Sequence, residues 1–213
     1  EKDSMRVIIN REDVKKYLGV EPVPRGNFPE EAIPGISKAL SVCNGGITGS
    51  TFAVETVLTE GEECLEVTGL PKETVMDSVK IAVTYIKKRY PTFLKEKEIH
   101  IHFGEGAITK DGPSAGVAVF TSILSAAVNK PIMDKKAYDI AYTGEISLTG
   151  GIFAVGSIFE KIQAACDSGC SKVFIPMQNY ERLDEQRLEE FACDVIPVKH
   201  LSEVVAAIYP ELQ

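Results

Sequence analysis

The chain has 213 residues, of which 44% are hydrophobic and 25% are charged, and its formal net charge is -8. This composition is typical of a globular domain with its own core, and the acidic balance disfavours nucleic acid as a partner, because phosphate binding relies on clustered Lys and Arg. The five cysteines are odd in number in a chain too large to need disulfides, so we expect free thiols in a reducing, intracellular compartment.

We expect no membrane segment, because no apolar run reaches the length of about 18 residues that a span requires. The charged start EKDSMR is not followed by the apolar core of a signal peptide. The sequence does not begin with Met, and we therefore expect it to be part of a longer protein.

Residues 1–34 are predicted to be the end of a preceding helical module and a linker. Asn10 is placed to cap a short helix through REDVKKYL, which Gly19 would end. The dense Pro and Gly residues between positions 20 and 35 then disfavour regular structure, because proline removes amide donors and fixes the backbone. Residues 35–213 are expected to form the main domain.

The main domain begins with predicted strands and continues with alternating helices and strands. The early strands are ISKALSVC, STFAVETVL and CLEVTG, followed by a helix from Pro71 to Arg89 and the strand EIHIHF. Residues 114–128 have almost no polar face, which predicts a buried helix. The later elements are strand pieces in YDIAYTGEI and GIFAV, a helix at 158–168, strand KVFIP, helix YERLDEQRLEEF, strand CDVIPV and a helix after Ser202. This order predicts an α+β domain with mixed β-sheets packed against helices.

Two kinds of site lack the residues they need. There is no Walker pattern for nucleotide phosphates. The pairs Cys166/Cys170 and His100/His102 could each supply only two metal ligands, fewer than the four of a structural zinc site. We therefore expect no metal or cofactor in this chain and interpret the two histidines as part of a solvated strand face.

Ser114 in KDGPSAG has several interpretations. As a structural residue, Ser114, Asp111 or Gly112 could cap the following helix, with Pro113 in its first turn. The same letters match the Gly-x-Ser-x-Gly of a nucleophile elbow, with His200 as the base of an esterase. That elbow would follow a buried strand, whereas the preceding GEGAITKD is a polar loop. The acid of such a triad would be Asp167 or Asp194.

A third interpretation is a serine activated by a lysine. A lysine with an ordinary pKa near 10.4 can act as a base near neutral pH only where poor solvation lowers that pKa. Most lysines lie in polar runs, but Lys161 in GSIFEKIQAAC lies at the margin of an apolar helix face. A lysine that keeps its amine in water is the alternative.

Three segments together carry a family resemblance. EGAITKDGPSAGVAVFTSILS, AYTGEISLTGGIFAVGSIFEKIQAACDSGCSKVFIP and VIPVKHLSEVV resemble the proteolytic domain of the Lon (La) ATP-dependent proteases. The resemblance is closest from Glu105 to Glu203 and extends more weakly back to about Gly35. It implies the fold of that domain and a serine endopeptidase activity.

The resemblance also implies roles for individual residues. Ser114 is similar to the family's nucleophile and Lys161 to its general base, a Ser-Lys dyad. Thr143 matches a threonine that helps to hold this lysine. Asp111 and Gly112 match the segment that shapes the site, and amides at the start of the Ser114 helix are expected to be the oxyanion donors. The residues expected to border the substrate cleft are Glu105, Gly106 and Ala107.

The resemblance implies partners that lie outside this chain. Family members work as homohexameric rings on unfolded, damaged or degron-bearing proteins, with an ATPase module in the same polypeptide that uses ATP and Mg. We expect a bacterial cytoplasm as the location, with the mitochondrial matrix as the alternative. A non-catalytic module for ring assembly is a further alternative.

The sequence also departs from the family pattern near the dyad. GEGAIT lacks two prolines common in the family, and GSIFEK stands where the family has Gly-Gly-Leu-Lys-Glu-Lys, so Ser157 and Phe159 replace a Gly and a Lys before the base. The spacing from Ser114 to Thr143 is a few residues longer than usual. These changes leave every catalytic group in place but bear on substrate preference.

Overall fold

The computed structural model describes residues 28–105 and 110–212, together with Asn10, Asp13, Lys16 and Tyr17. The last three have helical backbone, but most of the predicted tail and linker, including Gly19, lies outside the described residues. The division of the chain at residue 34 therefore stays a prediction.

A seven-stranded mixed sheet in the order β3-β4-β2-β1-β5-β8-β9 forms the centre of the domain. The pairs β1/β2 and β2/β4 are antiparallel, and the other neighbours are parallel. A separate hairpin consists of β6 and β7. The strands are β1 (Ile36–Cys43), β2 (Thr48–Glu60), β3 (Leu65–Thr68), β4 (Lys97–Phe103), β5 (Ile140–Tyr142), β6 (Glu145–Ile146), β7 (Ile152–Phe153), β8 (Lys172–Pro176) and β9 (Asp194–Val198).

Helices cover both faces of this sheet. On one face α1, α2 and α6 form the larger core with residues such as Phe103, Phe120 and Leu201. On the other face α3 packs through Ile162 on the strand residue Leu40. The helices are α1 (Glu73–Arg89), α2 (Gly116–Val128), α3 (Ile158–Asp167), α4 (Met177–Tyr180), α5 (Glu185–Glu189) and α6 (Leu201–Ile208). The predicted α+β class with helices on a mixed sheet is confirmed.

The helix predicted over YERLDEQRLEEF is wrong in extent, because only the short helix α5 forms within that segment. The preceding helix, α4, ends at Tyr180. The side chain of Asp184 then accepts a hydrogen bond from the Gln186 amide at 3.1 Å and caps a new helix, α5. A cap in mid-segment starts a separate helix, which the apolar spacing alone did not indicate.

Three predicted helix starts also change. Pro71 lies before α1 and forms an isolated bridge with Lys110, so the helix begins at Glu73. The buried helix predicted from residue 114 opens with a 3-10 turn, Pro113–Ala115, before α2. The last helix begins before Ser202, because His200 is its N-cap.

Candidate active site

Ser114 lies in the 3-10 turn that leads into the buried helix α2. Gly112 precedes this turn with φ 86°, a backbone conformation that glycine adopts without steric cost, and Pro113 occupies its first position. Ala115 is the N-cap of α2, and no side chain caps that helix. Ser114 is therefore not the cap, whereas Gly112, the alternative cap, holds the N-cap position of the 3-10 turn without a side-chain hydrogen bond.

The loop before Ser114 is attached to the start of α1. The Asp111 carboxylate accepts hydrogen bonds from Lys72 Nζ at 2.8 Å and from Thr74 Oγ1 at 3.2 Å. The Gly112 amide donates to the Thr74 hydroxyl at 3.0 Å. The bond from Lys72, followed by that from the Gly112 amide, holds the pKa of the Asp111 carboxyl below its usual value. These contacts fix the path of the chain into the Ser114 turn.

The TGE segment holds Ser114 from the other side. The Gly144 amide donates to the Ser114 carbonyl at 2.8 Å, and the Thr143 hydroxyl donates to the same oxygen at 3.2 Å. Thr143 is fully buried, and its own amide donates to the Phe174 carbonyl at 3.1 Å. The Thr143 hydroxyl thus contacts the backbone of the serine. The predicted support of Lys161 by this hydroxyl is not among the hydrogen bonds of the described residues.

Lys161 is the fourth residue of α3 and is only 3% exposed. Burial lowers the pKa of its amine from the ordinary 10.5 to about 8. Within the described ranges 28–105 and 110–212, the amine has no hydrogen bond or ion pair to offset this desolvation. The alternative of a lysine that keeps its amine in water is therefore wrong, and a sizeable fraction of this amine is neutral near pH 8.

A glycine brings the helix that carries Lys161 close to the sheet. A Cβ atom at Gly49 in β2 would come within 2.0 Å of the Glu160 carbonyl oxygen in α3. Any larger residue at this position would push α3 away from the strand. The close approach of α3 to β2 thus depends on Gly49, one residue position that the sequence did not single out.

Ser114 and Lys161 line one cleft of about 160 Å³. The same cleft is lined by Asp111, Gly112 and Glu105, so the fold brings most of the predicted site residues together. Thr143 lies behind the Ser114 carbonyl rather than in the cleft wall. The predicted cleft residues Gly106 and Ala107 lie outside the described residues. Apolar side chains of the cleft are Leu40, Val42, Phe52, Val75 and Phe103.

The cleft contains a second buried lysine, Lys110, which the sequence reasoning missed. Lys110 is 6% exposed, and its amine donates to the Glu105 carbonyl at 2.8 Å and lies 5.5 Å from the Phe52 ring centroid. Burial lowers its pKa, and the neighbouring Glu105 and Cys43 act in the opposite direction. A lysine next to Asp111 in KDGPSAG looked like a member of a polar run, and only the bridge between Pro71 and Lys110 shows how it becomes buried.

The esterase alternative finds no support in the position of His200. His200 Nδ1 accepts a hydrogen bond from the Ser202 amide at 3.1 Å, and Nε2 donates to the Thr149 carbonyl at 2.9 Å. Its ring contacts Tyr85 edge to face. Nδ1 thus caps α6 and Nε2 binds the loop at Thr149, and His200 does not line the cleft of Ser114. Asp167 at the end of α3 and Asp194 in β9 also lie outside that cleft.

The paired cysteines and histidines have structural surroundings. His100 and His102 both share a hydrogen bond with the Thr68 hydroxyl on the outer face of β4. Cys166 and Cys170 lie beside the α3 core. Among the described residues, no three His, Cys, Asp or Glu side chains come together as metal ligands, and no helix is long and apolar enough to cross a membrane.

The mixed sheet, the turn that presents Ser114 and the buried Lys161 define a Lon-type proteolytic domain. The family model for the Lon protease (S16) C-terminal proteolytic domain matches residues 8–210, and the chain belongs to this family. It is 38% identical over 186 residues to the Lon protease of Dictyoglomus thermophilum, covering 84% of this chain and 23% of that relative. It is 36% identical over 183 residues to the Lon protease of Finegoldia magna, covering 83% and 23%.

A mitochondrial relative is similarly close. The chain is 34% identical over 224 aligned residues to the mitochondrial Lon protease homolog of Scheffersomyces stipitis, covering 99% of this chain and 20% of that protein. The chain therefore spans about a fifth to a quarter of the length of these curated relatives.

Proposed function

We propose that this chain is the peptide-hydrolysing part of an ATP-dependent Lon-type serine protease, with Ser114 as nucleophile and Lys161 as general base. The observation that carries the proposal is a buried lysine of lowered pKa in the same cleft as a serine that opens a helix. Membership of the Lon proteolytic family supports the same chemistry.

The neutral Lys161 amine takes the proton of the Ser114 hydroxyl as the serine oxygen attacks the scissile carbonyl. The tetrahedral intermediate expels the amine of the departing peptide, which receives a proton from the Lys161 ammonium. Water then attacks the acyl-enzyme with Lys161 again acting as base and releases the second product. Burial supports this role, because desolvation keeps the amine ready to accept a proton.

The oxyanion would be stabilised by amides that open the Ser114 helix. The first amides of a helix have no partner within that helix and lie at the positive end of its dipole. Hydrogen bonds from Thr143 and Gly144 to the Ser114 carbonyl support this turn in a fixed position. Asp111 and Gly112 contribute by anchoring the preceding loop on α1.

We propose unfolded or degron-bearing proteins as substrates. The apolar cleft residues favour polypeptide segments with apolar side chains, which folded proteins bury and unfolded ones expose. Glu105 lines this cleft, and Gly106 and Ala107 are proposed to border it.

We propose that this chain belongs to a larger ATP-dependent assembly, on the basis of its family and of the greater length of its relatives. The curated Lon relatives are four to five times longer than the matched part, which leaves room for an ATPase module that binds ATP and Mg. A homohexameric ring is proposed on the family resemblance. The relatives come from bacteria and from mitochondria, and we propose a bacterial cytoplasm for this chain.

The test compares the native chain with Ser114→Ala and Lys161→Ala in cleavage of a fluorogenic peptide. Both variants should lose activity by at least about 100-fold, the scale of a missing general base. A fluorophosphonate probe should label Ser114 in the native chain and fail to label it efficiently in Lys161→Ala. Cleavage that survives either substitution contradicts the dyad.

His200→Asn is the matched control, because asparagine keeps a capping acceptor at the start of α6. This variant should cleave peptide as the native chain does, whereas a Ser-His-Asp esterase would lose its base. A native chain that is silent in a confirmed hexamer would instead favour the non-catalytic assembly module.

A further inference from the structure

A free thiol, that of Cys43, lies in the cleft of Ser114 and Lys161. Cys43 is the last residue of β1 and is half-buried. On the same strand the Ser37 hydroxyl donates to the Ala118 carbonyl in α2 at 2.7 Å. Residues an even number of positions apart share a strand face, so Cys43 projects to the side of the sheet where the Ser114 turn leads into α2.

The Cys43 thiol is close enough to the Lys110 amine to act on it electrostatically. Burial lowers the pKa of Lys110. The charges of Glu105 and, to a smaller extent, Cys43 raise it. The same amine lies 5.5 Å from the centroid of the Phe52 ring. The thiol therefore shares the cleft with a cation held above an aromatic ring.

A second feature of this cleft points to a bound ligand. Lys161 lines the cleft and is only 3% exposed. Its amine has no hydrogen-bond partner in the part of the chain that the structure describes. A buried polar group without a partner is costly unless a ligand or solvent supplies one. Cys43 lines the same cleft as this amine.

We propose that Cys43 is a site of reversible S-thiolation by glutathione-type disulfides, and that the mixed disulfide blocks the peptide cleft. This inference rests on the proposed peptidase function. The Cys43 thiolate attacks one sulfur of glutathione disulfide, a new S–S bond forms, and the old S–S bond breaks. The second glutathione leaves as a thiolate and takes up the proton that Cys43 lost, so no further oxidant is required.

Glutathione suits this cleft by its chemistry. It is a short peptide with free carboxylates, so its amide groups match a cleft that accepts polypeptide and its carboxylates match the Lys110 amine. Once bonded to Cys43 it would occupy the space next to Ser114 that a substrate needs. Added thiol restores the cleft, because the same exchange runs backwards.

The other cysteines differ in surroundings. Cys170 and Cys193 are buried, and burial raises the pKa of the Cys193 thiol, which also hydrogen-bonds to Cys166. Cys64 is exposed, but it lies in the turn before β3 and outside the cleft. Cys64 is therefore the matched control, an exposed thiol whose modification should leave the cleft open.

The experiment treats the native chain, Cys43→Ser and Cys64→Ser with glutathione disulfide and follows each cysteine by peptide mass spectrometry. We expect Cys43 to gain one glutathione in the native chain and in Cys64→Ser. Peptide cleavage should fall in proportion to the modified fraction of Cys43 and return on addition of dithiothreitol. Each variant is compared with its own untreated activity, and Cys43→Ser should keep its activity under treatment.

A second readout separates this inference from the peptidase proposal. Ser114→Ala should still take up glutathione at Cys43, and thiolation should reduce its binding of fluorescent casein. A Cys43 that stays unmodified while Cys64 reacts overturns the inference, as does a modified Cys43 that leaves casein binding unchanged. Absence of cleavage by the native chain would count against the dyad, whereas the mass and binding readouts would still decide the role of Cys43.

Discussion

Two buried lysines lie in cavities near opposite ends of helix α3, and they differ in what surrounds their amines. Lys161, near the start of the helix, is 3% exposed and lines the Ser114 cleft without a hydrogen-bond partner among the described residues. Lys38 is 5% exposed and lines a cavity beside Asp167, where its amine lies 4.6 Å from the centroid of the Phe28 ring. The Lys38 amine thus contacts the face of an aromatic ring, whereas the Lys161 amine is removed from water without such a contact.

Of these two amines, that of Lys38 lies against an aromatic ring, whereas that of Lys161 has no ring contact or hydrogen bond among the described residues. An aromatic ring attracts a cation through its negative face. Burial without such a partner disfavours the charged form, which is why the pKa of Lys161 falls to about 8. A general base requires a desolvated amine such as that of Lys161, whereas an aromatic ring beside an amine favours its charged form.

The largest effect that tests this difference is on catalysis. Lys161→Met should lower the rate of peptide cleavage by at least about 100-fold, because the base is removed while an unbranched side chain of similar size remains. Lys38→Met is the matched control at the other end of α3 and should leave the rate unchanged. A large loss of rate in Lys38→Met would mean that its cavity belongs to the catalytic machinery, and the contrast between the two lysines would fail.

The same substitution should raise stability. The fall of the Lys161 pKa from 10.5 to about 8 corresponds to about 3 kcal/mol of disfavoured charge in the folded state. Below pH 8 both folded and unfolded states carry the proton, so Lys161→Met should be more stable than the native chain by up to about this amount.

This gain should depend on pH in a defined direction. Between about 8 and 10.5 the unfolded state binds more protons than the folded state, so native stability rises with pH and the advantage of Lys161→Met shrinks. Urea unfolding at pH 7 and pH 10 measures both values. An advantage that is equal at the two pH values would assign it to packing instead of charge.

The pH dependence of cleavage is the next largest effect. If neutral Lys161 is the base, kcat/KM should rise about tenfold for each pH unit below about 8 and level off above it. The profile of Lys38→Met should have the same midpoint. A midpoint near the ordinary value of His would instead point to an imidazole base.

The sequence predicts features that depend on neighbouring residues better than features that depend on contacts between distant parts of the chain. The strand β1 and the burial of α2 follow from local pattern, and Ser114 and Lys161 follow from motif resemblance and helical spacing. Lys110 is buried where it forms a bridge with Pro71, 39 positions earlier in the chain. Local polarity placed that lysine in water, and only the tertiary contact shows otherwise.

Other differences have equally specific causes. Thr143 bonds the Ser114 carbonyl, a partner that lies in another part of the chain and has no local signal. The break between α4 and α5 results from the Asp184 cap, which competes with continuation of the helix that the spacing predicts. The Phe28 contact with Lys38 joins the linker to β1, which a Pro-rich composition does not indicate.

The smallest expected effect concerns the partner of Lys38. Phe28→Leu removes the ring above the Lys38 amine and its tilted contact with Tyr138, whose centroid lies 5.3 Å away, while it keeps an apolar side chain. We expect a loss of about 1 kcal/mol in unfolding free energy, the scale of a partly desolvated cation–π contact. In a double-mutant cycle with Lys38→Met the two losses should be less than additive, because both remove one interaction. Full additivity would show that the ring does not stabilise this cation, and the contrast between the surroundings of the two lysines would fail.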